Sequence, residues 1–299
     1  MTLVSLLFVL LSAAIHVGWN YLTKTSQDPS VFSLLKGMTM VAISLVALPA
    51  LPLSLIPSEI WVYVLISGAI HGLYILALSK AYETGDISYV YPIARSAPAL
   101  VPVAAFLFIG EIIPIQGWAG IMMVVICVLA LQFRGQARVD FHRIRQNLIK
   151  RDSLWAFATL IAVVSYSLVD KAAMVALSDV AVIAPAMRGP GFFMLQVVFC
   201  YLLFGIYLAT RGNLRLKAAW SRQWPSIIAA AVGTMASYSL ILHVLQTTPV
   251  SYVVSVRQSS VLLAVFIGWI QLKEPYGKFR LVTSILMVIG LVLVVTATV

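Results

Sequence analysis

The chain has 299 residues, 62% of them hydrophobic and 10% charged, with a net charge of +10 and a mean hydropathy of +1.01. A soluble domain carries roughly 25% charged residues, so this composition excludes a water-soluble globule and reads as a polytopic helical membrane protein. Long unbroken apolar runs exclude a transmembrane barrel, whose strands alternate. The basic excess reads as cytoplasmic loops rather than a nucleic-acid surface, because no basic patch interleaved with aromatics occurs.

Stretches of about 20 apolar residues occur ten times, near 2–23, 31–52, 59–79, 87–109, 115–133, 154–175, 182–209, 224–245, 250–271 and 279–298. The first lacks the basic start of a secretory signal and continues through His16 and Trp19, so it is expected to be a retained helix. The seventh is long, and "PAMRGPG" (185–191) is where a break is expected. Cys127 and Cys200 sit alone inside apolar runs and read as packing residues.

Lysine and arginine divide unevenly among the connections. The odd-numbered loops hold fifteen, from Lys24 through Arg280, whereas the even-numbered side holds Lys171 alone and the termini none. Both termini are therefore expected to face away from the cytoplasm. The basic linker 134–152 separates residues 1–133 from 153–299. Its "RGQARVDFHRIRQNLIKR" (134–151) is expected to lie as a short basic helix on the membrane surface.

The two halves repeat. "SYVYPIARSAPAL" (88–100) aligns with "SYVVSVRQSSVLL" (251–263) at an offset of 163, and the same offset brings Glu111 onto Glu274. Lys36-Gly37 can be laid over Arg188-Gly189, and Trp19 over Tyr166, at slightly different offsets. Five spans per half invert the second repeat, the architecture of alternating-access carriers with a site near the bilayer midplane.

"FIGEIIPIQGWAGIMMVVICVLAL" and "IQLKEPYGKFRLVTSILMVIGLVLVV" resemble the two ends of EamA domains, and "AIHVGWN" resembles their first helix. The resemblance implies a ten-helix member of the drug/metabolite transporter superfamily. The small multidrug members carry a glutamate in their first helix, and this chain has no acidic residue there.

Four basic residues lie inside the spans: Lys36, Arg95, Arg188 and Arg257. A charge at the bilayer centre costs about 2.5–3.5 kcal/mol on insertion scales. Each can snorkel or bond to carbonyls, or it can face a watered path. With Asp170 the clearest acidic counterpart within the spans, a positive path favours carboxylate, phosphate or phosphonate groups, which arginine grips with two nitrogens. Arg95 is the stronger binding candidate, because Tyr91 shares its helix face and Pro92 and Pro98 open backbone around it. Asp170 could pair with an arginine in one state and release it in the other, as a gate. Glu111 and Glu274, at helix ends, suit capping or gating. His16, Trp19 and Asn20 occupy one stretch of the first span, and His16 could titrate. Tyr166, His71 and Tyr238 are weaker lining candidates.

No HExxH, GxGxxG, Walker or protease-like pattern occurs, so an enzyme is not expected, nor is a cofactor or a metal. The reading is an all-α secondary transporter of the cytoplasmic (inner) membrane. Its expected partners are the lipid bilayer and a small anionic or zwitterionic metabolite, with no nucleic acid. An exporter of amino acids or aromatic metabolites, a translocase of a lipid or lipid-linked headgroup, and a non-transporting scaffold are the alternatives. Monomer and homodimer both stay open.

Overall fold

A computed structural model describes residues 1–84, 96–130, 153–210, 216–263 and 277–297. These form helices and turns, with no strand among them. The helices are α1 (Leu3–Lys24), α2 (Pro29–Ala47), α3 (Ser58–Thr84), α4 (Ala97–Ile109), α5 (Ile115–Ala130), α6 (Ser153–Ser178), α7 (Pro185–Ala209), α8 (Leu216–Leu245), α9 (Val250–Arg257) and α10 (Gly277–Thr296). Among the described residues, α1, α2, α3, α6, α7 and α8 carry segments long and apolar enough to cross a membrane, while α4, α5 and α10 carry shorter apolar segments. Their outward faces are apolar: Leu7 and Leu11 of α1, Phe106 and Leu107 of α4, and Ile285 and Val292 of α10 are exposed. Water penalises such faces and hydrocarbon does not.

The chain forms two compact units, each taking helices from both sequence halves. The first unit comprises residues 1–10, 77–168 and 248–299. Within it α5 lies along α10, and α9 packs on α4, α5 and α10. Glycine permits the α5–α10 approach. A Cβ at Gly120 would sit 2.7 Å from the Gly290 carbonyl oxygen and 2.8 Å from the Val294 nitrogen. Gln116 ties the same pair, its Nε2 donating to Thr296 Oγ1 at 2.8 Å.

Glu111 fixes α9 in this unit. Its carboxylate accepts from the Val250 amide at 2.9 Å and the Ser251 amide at 3.2 Å. A helix N-terminus leaves such amides without intrahelical partners, and a negative charge there complements the helix dipole. Glu274, its counterpart in the repeat, lies outside the described residues.

The second unit comprises residues 11–76 and 169–247. Here α2, α7 and α8 pack mutually. Val31, Phe32 and Leu35 of α2 meet Ile227 and Ala230 of α8, with Trp19 and Leu22 against them. Asp28 starts α2, its Oδ1 accepting from the Ser30 and Val31 amides at 3.0 Å each, ahead of Pro29 at the first helical position.

Two expectations change. First, "PAMRGPG" does not break the seventh span: α7 begins at Pro185 and runs through Pro190. Pro190 lies near the helix start, where its missing N–H costs one bond, to the Ala186 carbonyl. Second, the ninth span is interrupted. α9 ends at Arg257, Gln258 is a turn residue, and helix resumes at Ser259. The Gln258 amide donates to the Ser255 carbonyl at 3.1 Å, three residues back rather than four. In the first repeat α4 starts at Ala97 behind Ser96, and the offset of 163 carries Ser96 onto Ser259. The helix following each Arg-containing stretch therefore begins within one residue of the same place. The basic stretch 134–151 lies outside the described residues.

Candidate functional site

In the first unit α9 and the turn that follows it carry polar groups that apolar packing has left unsatisfied. Gln258, Ser259 and Ser260 are buried. Among the described residues, Gln258 Oε1, Ser259 Oγ, Ser251 Oγ and the Tyr252 hydroxyl are each buried with no hydrogen-bond partner. A buried group in that condition costs about 1–3 kcal/mol, so each asks for a ligand or water. Arg257 directly precedes Gln258 and Ser259 and is half-buried. Tyr166, buried in α6, belongs to the same unit. Arg95 and Tyr91 lie outside the described residues.

In the second unit Lys36 is buried on α2, 5% exposed, with its ammonium 4.0 Å from the centroid of the Trp19 ring. No carboxylate forms an ion pair with it among the described residues. Cation–π attraction of this kind is worth about 2 kcal/mol when desolvated, less than the cost of burying a charge. His16 meets Trp19 edge-on at 4.7 Å, and the Trp19 indole nitrogen is buried without a hydrogen-bond partner. Asn20 turns back on its own helix, donating to the His16 carbonyl at 2.8 Å.

Arg188 is spent locally. Its guanidinium donates to the Ile183 carbonyl at 3.1 Å, the Val180 carbonyl at 3.3 Å and Gln246 Oε1 at 3.3 Å. It thereby staples the α6–α7 connection to the end of α8.

Asp170 is fully buried on α6, within a polar cluster drawn from four helices of the second unit. Ser67 Oγ on α3 donates to Asp170 Oδ1 at 2.5 Å and stands 2.9 Å from Gln196 Oε1 on α7. The Tyr238 hydroxyl on α8 donates to Asp170 Oδ2. His71, one helical turn beyond Ser67, places Nε2 3.1 Å from the Tyr238 hydroxyl and Nδ1 2.9 Å from the Ser67 carbonyl. Gly68 lets α3 come close enough for this: a Cβ there would lie 2.8 Å from the Gln196 carbonyl oxygen.

Residues 153–296 match the family described as the EamA-like transporter family. These residues form an EamA-like domain. That places the second half of the chain in a family of membrane transporters within the drug/metabolite transporter superfamily. A solved structure described as "Crystal structure of protein" is similar in fold, with a TM-score of 0.66 at 16% identity, covering 98% of this chain and 96% of the other. No curated protein matches it.

The candidate residues thus fall into separate groups. Lys36, Trp19 and His16 meet in one unit. Arg257 stands at a helix interruption in the other, where Glu111 anchors the helix that carries it. Asp170 joins His71 and Tyr238. Sequence reasoning passed over Ser67, Gln196, Gln258 and Ser259 as bearers of function. A signal existed for each: Ser67 lies four residues before His71 on one helix face, Gln196 is a polar amide in an apolar run, and Gln258 and Ser259 follow Arg257.

Proposed function

We propose that the protein is a secondary carrier that moves a small anionic or zwitterionic metabolite across the cytoplasmic membrane. It would do so by alternating access of two inverted five-helix repeats, with both termini outside. The observation that carries this reading is the helix interruption at Gln258, where buried, unsatisfied polar groups stand beside an arginine. Discontinuous helices of this sort line carrier sites, because irregular backbone at membrane depth is tolerated only around a cavity.

The chemistry favours a substrate bearing both an anion and an N–H. Arg257, which has contacts of its own, carries a guanidinium of the kind that grips a carboxylate or phosphate. Gln258 Oε1 needs a donor, and the Ser259 hydroxyl can give or accept. A zwitterion satisfies all three. Lys36, buried on the Trp19 ring of the other unit, and Arg95 are further positive charges within the spans, which favours an anionic group in the substrate. Arg188 is left out of the path, because its donors are held by the α6–α7 connection.

The test is thermal stabilisation of the detergent-purified protein by a panel of anions, amino acids and amines. Amino acids or other organic anions should raise the melting temperature; stabilisation by simple cations alone overturns the charge assignment. Flux of a stabilising compound into liposomes then distinguishes a carrier from a scaffold.

A further inference from the structure

The buried cluster of the second unit has a proton count that can be worked out from its hydrogen bonds. Three contacts run in line: Asp170 Oδ2 to the Tyr238 hydroxyl, that hydroxyl to His71 Nε2 at 3.1 Å, and His71 Nδ1 to the Ser67 carbonyl at 2.9 Å. A carbonyl only accepts, and tyrosine has one proton to give.

Suppose Asp170 is a carboxylate and His71 is neutral. Tyr238 donates to Asp170, so His71 must donate from Nε2 to keep its contact with the tyrosine. Nδ1 is then a lone pair facing the lone pairs of the Ser67 carbonyl, and the Ser67 hydroxyl, 3.3 Å away, can serve it only by giving up its bond to Asp170 Oδ1. The other tautomer repairs that contact and sets the Nε2 lone pair against the tyrosine oxygen instead. Suppose instead that both groups carry their protons. Asp170 and His71 then both donate toward Tyr238, whose own proton faces one of theirs. With one proton held between the two groups, each of the three contacts in line pairs a donor with an acceptor. Two arrangements achieve this. In one, protonated Asp170 donates to Tyr238, Tyr238 donates to Nε2, and Nδ1 donates to the Ser67 carbonyl. In the other, Asp170 is a carboxylate, His71 is an imidazolium, and Tyr238 has reversed its direction.

We propose that Asp170 and His71 hold one transferable proton between them, and that the Tyr238 hydroxyl is the bridge that passes it. In the transfer, the Asp170 Oδ2–H bond breaks as a Tyr238 O–H bond forms. The original Tyr238 O–H bond breaks as a His71 Nε2–H bond forms. One proton equivalent moves from carboxyl to imidazole, and no other reactant is needed. Loss of that proton from the whole cluster leaves a fully buried carboxylate beside a neutral imidazole, and burying a charge is costly. The cluster is therefore suited to couple its protonation to a change of state. That coupling role rests on the carrier reading; the proton count does not.

Other ionisable groups on the surrounding helices have their own contacts. Lys171 Nζ, beside Asp170 in sequence, donates to the Leu245 carbonyl at 2.7 Å. His243 Nδ1 on α8 meets Gln246 Nε2 at 3.2 Å. Arg188 on α7 holds the α6–α7 connection, and Lys36 on α2 lies over Trp19. Tyr74 stands on α3, and Tyr201 is buried on α7. Ser67 Oγ holds the second oxygen of Asp170, so the carboxyl is tied at both oxygens. Phe193 packs on the Tyr238 ring at 5.2 Å.

The test is a pH titration of the purified protein with labelled histidine and aspartate, read by NMR. His71, one of four histidines, is assigned by His71→Gln. In the wild type the His71 nitrogens and the Asp170 carboxyl carbon should change in the same steps. In Tyr238→Phe their midpoints should separate by at least about one pH unit, a tenfold change in proton concentration. Independent midpoints in the wild type, or coupled ones in Tyr238→Phe, overturn the proposal. Should that variant fail to fold, infrared spectroscopy of the wild type decides: the carboxylic C=O band must change in the same step as the imidazole bands. The titration requires no substrate, so it stands even if the ligand panel sinks the carrier reading.

Discussion

Glu111 accepts from the backbone amide of Val250 at 2.9 Å, across 139 residues of sequence. One side chain at the end of α4 therefore sets where α9 begins. Glu111→Ala should lower stability by about 1–2 kcal/mol, the range for losing an N-terminal cap, and Glu111→Gln should lose less because one acceptor survives. Scanning fluorimetry in detergent reads both. An unchanged Glu111→Ala melting curve would show that water serves these amides equally well.

The interruption at Gln258 predicts a trade between stability and binding. Gln258→Leu removes a buried acceptor that has no partner, so the ligand-free protein should melt higher. The same variant should lose at least tenfold in affinity for any panel compound that stabilises the wild type, about 1.4 kcal/mol. A variant that is more stable and binds equally well would dissociate this stretch from the substrate.

Lys36→Met tests the buried ammonium. Burying an uncompensated charge is costly, so this variant should fold at least as well as the wild type. Its affinity for anionic panel compounds should fall about tenfold or more, with neutral compounds unaffected. Lys36→Arg should restore part of the binding. A strongly destabilised Lys36→Met would instead make the Trp19 contact structural.

Gly120→Val should cost on the order of 3 kcal/mol, at the upper end for overpacking, because the added carbon meets backbone rather than a side chain that can move. Gly205→Ala is the control. It lies inside α7 with nothing within 4 Å of an added Cβ, so it should be neutral or raise stability by about 0.5–1 kcal/mol.

The membrane-helical class was legible because it follows from summed hydropathy, which no local detail overturns. The doubled Glu-turn-helix pattern likewise carried the family. Arg188 was harder: its position inside an apolar span suggested a path, whereas carbonyls of the preceding turn take its donors, and backbone acceptors leave no mark in sequence. Asp170 was singled out for its charge. That it would meet Ser67 on α3 and Tyr238 on α8 depends on helix packing at Gly68, and one sequence does not disclose which helices become neighbours. The interruption at Gln258 was masked because "SYVVSVRQSSVLL" has no proline or glycine to announce a break.

The crossing of α5 and α10 at Gly120 and Gly290 has a mechanical consequence. Backbone rests on backbone there, so no rotamer change can let one helix slide past the other. The two behave as a single stave. Any rearrangement within their unit has to be taken up elsewhere, and the turn at Gln258, where α9 ends, is the place already cut to bend.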